Sequence, residues 1–206
     1  MVDEKEWQRV YDARLSIYQE VFGEFPGEVF GSQNFQPGAW PGGCLAQIKD
    51  KNGHGWFSST VGLTNPGILE SSLSNPLGFP QSNSVAGYGY EIVVCTRGVE
   101  RWPVEVLFRI VRVLFSPGFD YLGEIDRFGG SFVWNKFLLV PGFNRLPKSA
   151  EIPNGNFRFL ALLHLTPEEL AFLYERPMKE SLPDFLASKS DEWIDPAYKW
   201  VPPATQ

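Results

Sequence analysis

Two histidines and two cysteines have the widest range of catalytic and metal-binding chemistry in this sequence: His54, His164, Cys44 and Cys95. Histidine is the usual general base, and both residue types bind zinc. The four positions show none of the paired spacings of zinc sites, and the sequence has no G-x-S-x-G, Walker A or H-E-x-x-H motif. We therefore expect structural histidines and reduced core thiols, and we predict no catalytic residue, no cofactor and no bound metal.

A pair of carboxylates, Glu124 and Asp126, offers a second kind of chemistry. In an extended segment the two side chains share one side of the chain, and paired carboxylates serve in acid–base catalysis or bind cations. Together with His164 they define an alternative hypothesis, a small-molecule or metal-dependent enzyme. The acidic and aromatic residues around the pair also suit a protein interface, where aromatic anchors lie beside polar groups. The predicted protein-binding residues are Asp120, Tyr121, Glu124, Asp126 and Phe128.

The charge balance restricts the kinds of partner. The 18 basic and 24 acidic residues give a net charge of -6, and no basic run is present, so we expect no nucleic-acid partner. An acidic surface instead speeds encounter with a basic protein. The N-terminus lacks the apolar segment of a signal peptide, and no apolar run approaches a membrane span. We expect a cytoplasmic protein that does not bind membranes.

The elements that must position these residues begin with an amphipathic helix, in which apolar residues recur at helical spacing before Gly23 and Pro26 end the pattern. Segments rich in Gly and Pro alternate with apolar, strand-like segments further along. The predicted segments are a helix over 3–22, an irregular connector over 25–43, strands at Cys44–Lys49 and 56–64 joined by a turn at 50–53, an irregular segment over 65–87 and a strand over 88–95.

The second half of the chain begins with the clearest helix, Trp102–Phe115, which has a wide apolar face and Pro103 in its first turn. A capping box at Thr166 and Glu169 predicts the start of another helix. The remaining predictions are strands at Ser131–Trp134, 136–140 and 157–165, helices over 166–174 and 182–188, and an irregular tail from residue 195.

These elements predict one α+β domain over residues 1–206, with a mixed, largely antiparallel sheet flanked by helices. The 17 Phe, 7 Trp and 7 Tyr residues and a hydrophobic fraction of 43% are sufficient for a large core.

Three motifs in order carry a resemblance to a known family: HGWFSSTVGLT at 54–64, GYGYEI at 87–92, and the Trp102-Pro103 helix start. The sequence from about residue 25 to residue 188 resembles the suppressor-of-fused domain, in its short, single-domain bacterial form. The resemblance implies a mixed sheet flanked by helices, no enzymatic activity and a protein partner. Several short members are similar to immunity proteins that neutralise toxins.

The functional prediction is a non-catalytic protein-binding domain, of the immunity type, whose partner is a toxin. A scaffold or regulatory binding protein is the alternative within the same class. The carboxylate-based enzyme is the alternative from a different class.

Overall fold

One mixed β-sheet with helices on both faces organises the described part of the protein. The computed structural model describes residues 3–25, 28–31, 40, 42–68, 84–115, 126–128, 131–134, 137–143, 146–189 and 193–194. Within these ranges the strands are β1 Glu28–Gly31, β2 Cys44–Lys49, β3 Trp56–Val61, β4 Val85–Thr96, β5 Asp126–Phe128, β6 Ser131–Trp134, β7 Phe137–Pro141, β8 Ala150–Ile152, β9 Gly155–His164 and β10 Trp193–Ile194. The helices are α1 Glu4–Val21, α2 Trp102–Phe115, α3 Pro167–Glu175 and α4 Met178–Ser188.

The strand order across the sheet is β1-β2-β3-β4-β9-β7-β6-β5, with β10 paired to β4 and β8 paired to β9. Strand β4 is parallel to β9 and β10, and the other strand pairs of the described chain are antiparallel. The predicted α+β class, with its mixed, largely antiparallel sheet, is therefore confirmed. The more specific prediction, a suppressor-of-fused-like fold, stays a prediction.

Successive residues of the central strands point to opposite faces and build two cores. On β4, Val93 belongs to the core that α1, α3 and α4 cover, and Val94 belongs to the core that α2 covers. On β9, Ala161 and Leu162 alternate in the same way. The nearly continuous apolar sequence of β9 follows from this burial on both faces.

Helix α1 forms where the sequence predicts it. Asp3 caps its first turn by accepting a hydrogen bond from the Lys5 backbone N–H at 3.3 Å. The helix ends at Phe22, whose carbonyl accepts from the Lys51 backbone N–H at 3.0 Å. Four residues spaced four apart form its fully buried row: Val10, Arg14, Tyr18 and Phe22. An amphipathic helix ordinarily turns its charged side chains to solvent, and Arg14, which is 2% exposed, departs from this pattern.

The predicted hairpin of β2 and β3 is confirmed, since the two strands pair antiparallel from Cys44 opposite Val61 to Lys49 opposite Trp56. Its turn is closed by a hydrogen bond from the Gly53 N–H to the Asp50 carbonyl at 2.9 Å. Strand β3 ends at Val61, three residues before the predicted end, because the chain turns at Gly62.

The capping box of α3 is also confirmed. The Thr166 hydroxyl accepts from the Glu169 backbone N–H at 3.2 Å, and the Glu169 carboxylate accepts from the Thr166 N–H at 2.8 Å. Helix α4 begins at Met178, four residues before the predicted start. Pro183 therefore lies inside the helix and not in its first turn.

Two irregular segments of the prediction contain strand residues. Strand β1 lies within the predicted connector 25–43, and β4 begins at Val85, inside the predicted irregular segment 65–87. Both assignments depend on pairing with strands remote in sequence, β2 for β1 and β9 for the start of β4. The tail from residue 195 lies outside the described residues. In the described chain, the helices are too short or too polar to cross a membrane.

Gly87 allows the turn after β3 to pack against β4. Its φ is +52°, and a Cβ there would lie 2.5 Å from the Leu63 carbonyl oxygen and 2.7 Å from Ile68 Cγ2. Gly53 has a similarly positive φ of +76°, but a Cβ there meets no atom within 4 Å. A substitution at Gly53 therefore introduces backbone strain alone, whereas a substitution at Gly87 introduces backbone strain and steric overlap.

We predict that Gly53→Ala lowers the free energy of unfolding by about 1 kcal/mol, through backbone strain alone. Gly87→Ala adds the overlap with Leu63 and Ile68 and should lower it by about 3 kcal/mol or more. Urea denaturation of both variants measures the difference. Equal losses in the two variants would contradict the close packing at Gly87.

Candidate functional site

The structure places two of the predicted protein-binding residues at one end of the sheet. Asp126 and Phe128 are the first and last residues of β5, the terminal strand of the order. Asp120, Tyr121 and Glu124 lie outside the described residues. Among the described strands, the predicted binding segment therefore includes one at the edge of the sheet.

The enzyme hypothesis required Glu124, Asp126 and His164 to meet. Strands β6 and β7 lie between β5 and β9, which carry Asp126 and His164. At about 4.8 Å per strand, the two backbones are about 14 Å apart. Glu124 lies outside the described residues, and the structure does not bring the other two together.

The histidines and cysteines are dispersed over the sheet. His54 lies in the turn between β2 and β3, with Nδ1 3.3 Å from Asp50 Oδ2. The ring of His164 packs edge-on against Phe137 at 5.5 Å. Cys44 lies on β2 and Cys95 on β4, and burial raises the pKa of Cys44 to about 11. Within the described residues no group of three His, Cys, Asp or Glu side chains is placed to hold a metal ion.

The most concentrated polar chemistry of the described chain surrounds Glu91, on the α1 side of β4. The side chain is fully buried. Its Oε1 accepts hydrogen bonds from the Gly62 N–H at 2.9 Å and from the N–H and hydroxyl of Thr64 at 3.1 and 2.7 Å. Its Oε2 accepts from the Thr60 hydroxyl at 2.7 Å. The Glu91 cluster consists of Glu91, Thr60, Gly62, Thr64, Arg14 and Asn65.

The Glu91 carboxylate is needed as a hydrogen-bond acceptor because strands β3 and β4 stop pairing before the turn that follows β3. The pairing of β3 with β4 ends at Ser59 opposite Val93, and the chain then turns at Gly62 with φ +118°. The backbone N–H groups of Gly62 and Thr64 thereby lose any strand partner on β4, and buried N–H groups require an acceptor. Glu91 supplies one from β4 itself.

Arg14 brings a positive charge to this cluster from α1, and only 2% of the residue is exposed. Its Nη1 donates to the Thr64 hydroxyl at 3.3 Å and also to Asn65 Oδ1. The Thr64 hydroxyl has one proton, which it donates to Glu91, so its lone pairs face Arg14. Thr64 thus relays the interaction between the two charged groups.

Tyr18 makes a further polar contact of α1, with strand β3. Its hydroxyl donates to the Thr60 carbonyl at 2.6 Å and lies 3.0 Å from Ser59 Oγ. Burial raises the pKa of Tyr18 well above its ordinary value, so the phenol stays protonated and remains a donor. Arg14 and Tyr18 together fix helix α1 on the sheet at two polar points.

The electrostatics of Glu91 combine opposing effects. Burial, the largest, raises the pKa of the carboxyl, while Arg14, the Thr60 and Thr64 hydroxyls and the Gly62 N–H act to lower it. A fully buried carboxylate surrounded by donors cannot reach a substrate. The arrangement holds a guanidinium group and orders a turn.

Sequence reasoning did not select Arg14 or Glu91, although two signals were present. Arg14 lies four residues after Val10 and four before Tyr18, on the apolar face of the helix. Glu91 is a single charge within an apolar strand, where a charge is rarely buried unless it is paired. The motifs that carry the family resemblance meet here, because 60–64 supplies the donors to Glu91.

The fold and cluster define an α+β protein with an open mixed sheet and a buried Arg–Thr–Glu relay. Comparison with protein-family models finds no match, and comparison with curated proteins finds no significantly similar sequence. The resemblance to the suppressor-of-fused family therefore stays a prediction.

The raised pKa of Glu91 predicts a pH dependence with a definite sign. A group whose pKa is raised by folding stabilises the folded state fully below its ordinary pKa, and this contribution is lost as the pH rises through the raised value. The free energy of unfolding of the wild type, minus that of Glu91→Gln, should therefore fall as the pH rises above the ordinary glutamate pKa of about 4. Urea denaturation across this range measures it, and a difference that grows with pH would contradict the direction of the shift.

Proposed function

We propose that this chain is a non-catalytic protein-binding domain that contacts its partner through the edge of the sheet at β5. The main support for this proposal is the position of β5 at the end of the strand order. This strand contains Asp126 and Phe128, which belong to the predicted binding segment. Terminal strands offer backbone N–H and C=O groups to a partner strand. Aromatic and acidic side chains beside such an edge would supply specificity.

The charge of the chain supports a basic partner. The net charge of -6 favours fast encounter with a positively charged protein. In the predicted binding segment, acidic residues stand beside aromatic ones, the combination that an interface with a basic partner requires.

The immunity role is the more specific part of the proposal, and it rests on the resemblance. Several short suppressor-of-fused-like proteins are similar to immunity proteins, which bind a toxin and neutralise it. In this proposal the chain acts in the cytoplasm and its partner is a toxin.

The opposite edge of the sheet favours the scaffold alternative. Strand β1 is the other terminal strand, and the exposed fraction of Val29 on it is 46%. Two edges at opposite ends of one sheet allow two partners to be held at once. A regulatory scaffold would use both edges, whereas an immunity protein requires one.

Alanine substitutions at the predicted interface test the proposal. Tyr121→Ala and Phe128→Ala should each weaken the complex with the proposed toxin, sought among the products of neighbouring genes, by about tenfold or more, the loss expected for aromatic hot spots. Tyr174→Ala is the matched control, since this tyrosine is 51% exposed on α3, away from β5. Calorimetric titration gives the dissociation constants.

Survival of cells that produce the toxin separates the two parts of the proposal. If cells survive without this chain, the immunity role is wrong, although a binding role can stand. If the toxin binds with equal affinity to Phe128→Ala, Tyr121→Ala and the wild type, the assignment of the interface to the β5 edge is wrong.

A further inference from the structure

We propose that the sheet carries a preorganised guanidinium-binding site, which Arg14 of α1 occupies as an intramolecular ligand. The site consists of the Thr64 hydroxyl and the Asn65 side-chain carbonyl, with the Glu91 carboxylate behind Thr64. Helix α1 is then bound to the sheet through a specific recognition contact in addition to apolar packing.

The acceptors are oriented without help from α1. All four hydrogen bonds that Glu91 accepts within the described residues come from 60–64 on β3 and the following turn. Thr64 is fixed in turn, because its N–H and its hydroxyl both donate to the Glu91 carboxylate. The Glu91 carboxylate and the Thr64 hydroxyl are therefore oriented by contacts within the sheet and its turn.

Asn65 is fixed by close packing against glycine backbone. A Cβ on Gly62 would lie 2.8 Å from Asn65 Nδ2, and a Cβ on Gly42 would lie 3.4 Å from it. The amide nitrogen therefore faces the glycines, and Oδ1 is left to face Arg14. The Asn65 backbone N–H also donates to the Gly62 carbonyl at 3.2 Å.

The geometry favours a guanidinium over an ammonium. Nη1 donates to both the Thr64 hydroxyl and Asn65 Oδ1, and the planar guanidinium holds its donors in fixed directions, whereas those of an ammonium rotate. An ammonium is a compact, strongly hydrated charge, and a site that leaves only 2% of Arg14 exposed disfavours it. Tyr18 adds the second contact one helical turn later, so α1 docks and separates as one unit.

Chemical rescue tests the site. Arg14→Ala should leave the sheet folded with an empty site, and ethylguanidinium should raise its melting temperature saturably, by about 2 to 4 °C at several times the dissociation constant. Ethylammonium at equal ionic strength is the matched cation and should give no rise. The wild type, whose site is filled by Arg14, should show no rise with either compound.

The double variant Arg14→Ala/Thr64→Val separates specific from general effects, because it lacks the hydroxyl that connects the guanidinium to Glu91. It should not respond to ethylguanidinium. Equal stabilisation of the single variant, the double variant and the wild type would overturn the proposal, as would no response in the single variant.

A second variant keeps the test decisive if Arg14→Ala does not fold. Arg14→Lys retains the charge but loses the planar donors, so amide hydrogen exchange should accelerate in α1 and remain slow in β4 and β9. Thr96→Val is the matched control, because Thr96 is a buried threonine whose hydroxyl donates to Gly98, away from the cluster. Equal acceleration throughout the sheet in Arg14→Lys would show that the site is not preorganised.

Discussion

The burial of the Glu91 carboxylate is the constraint on which the surrounding structure depends. A buried charge is tolerated only when donors and an opposite charge compensate it. The donors come from the turn after β3, and the opposite charge comes from Arg14 on α1 through Thr64. One side chain on the central strand β4 therefore connects a strand end, a tight turn and the N-terminal helix, which are remote in sequence.

In the proposed function, contacts with a partner lie at a sheet edge that is distant from the Glu91 cluster. The members of the Glu91 cluster lie on β3, the turn after it, β4 and α1, whereas β5 lies at the far end of the strand order. The polar groups near Glu91 are used within the chain, so they stabilise the domain and do not reach a partner. A binding role at the β5 edge is compatible with this separation of the buried cluster from the edge strand. Buried contacts at the centre of the sheet make it a rigid support for β5.

Local features of the sequence predicted most elements, and non-local features explain what was missed. The hairpin of β2 and β3, the helix Trp102–Phe115 and the Thr166 capping box depend on residues close in sequence. Strand β1 and the start of β4 lie in Gly- and Pro-rich segments and form through pairing with remote strands. The Glu91 cluster joins Arg14 to Thr64 across 50 positions, and no sequence pattern predicts that pairing.

A double-mutant cycle between Arg14 and Glu91 tests the central claim most directly. Each single variant, Arg14→Met or Glu91→Gln, leaves the other buried group without its partner, whereas the double variant removes both. Urea denaturation of the four proteins should show that the double variant loses less stability than the sum of the single losses, by about 1 to 3 kcal/mol. Additive losses would show that the two residues do not interact through Thr64, and would contradict the account.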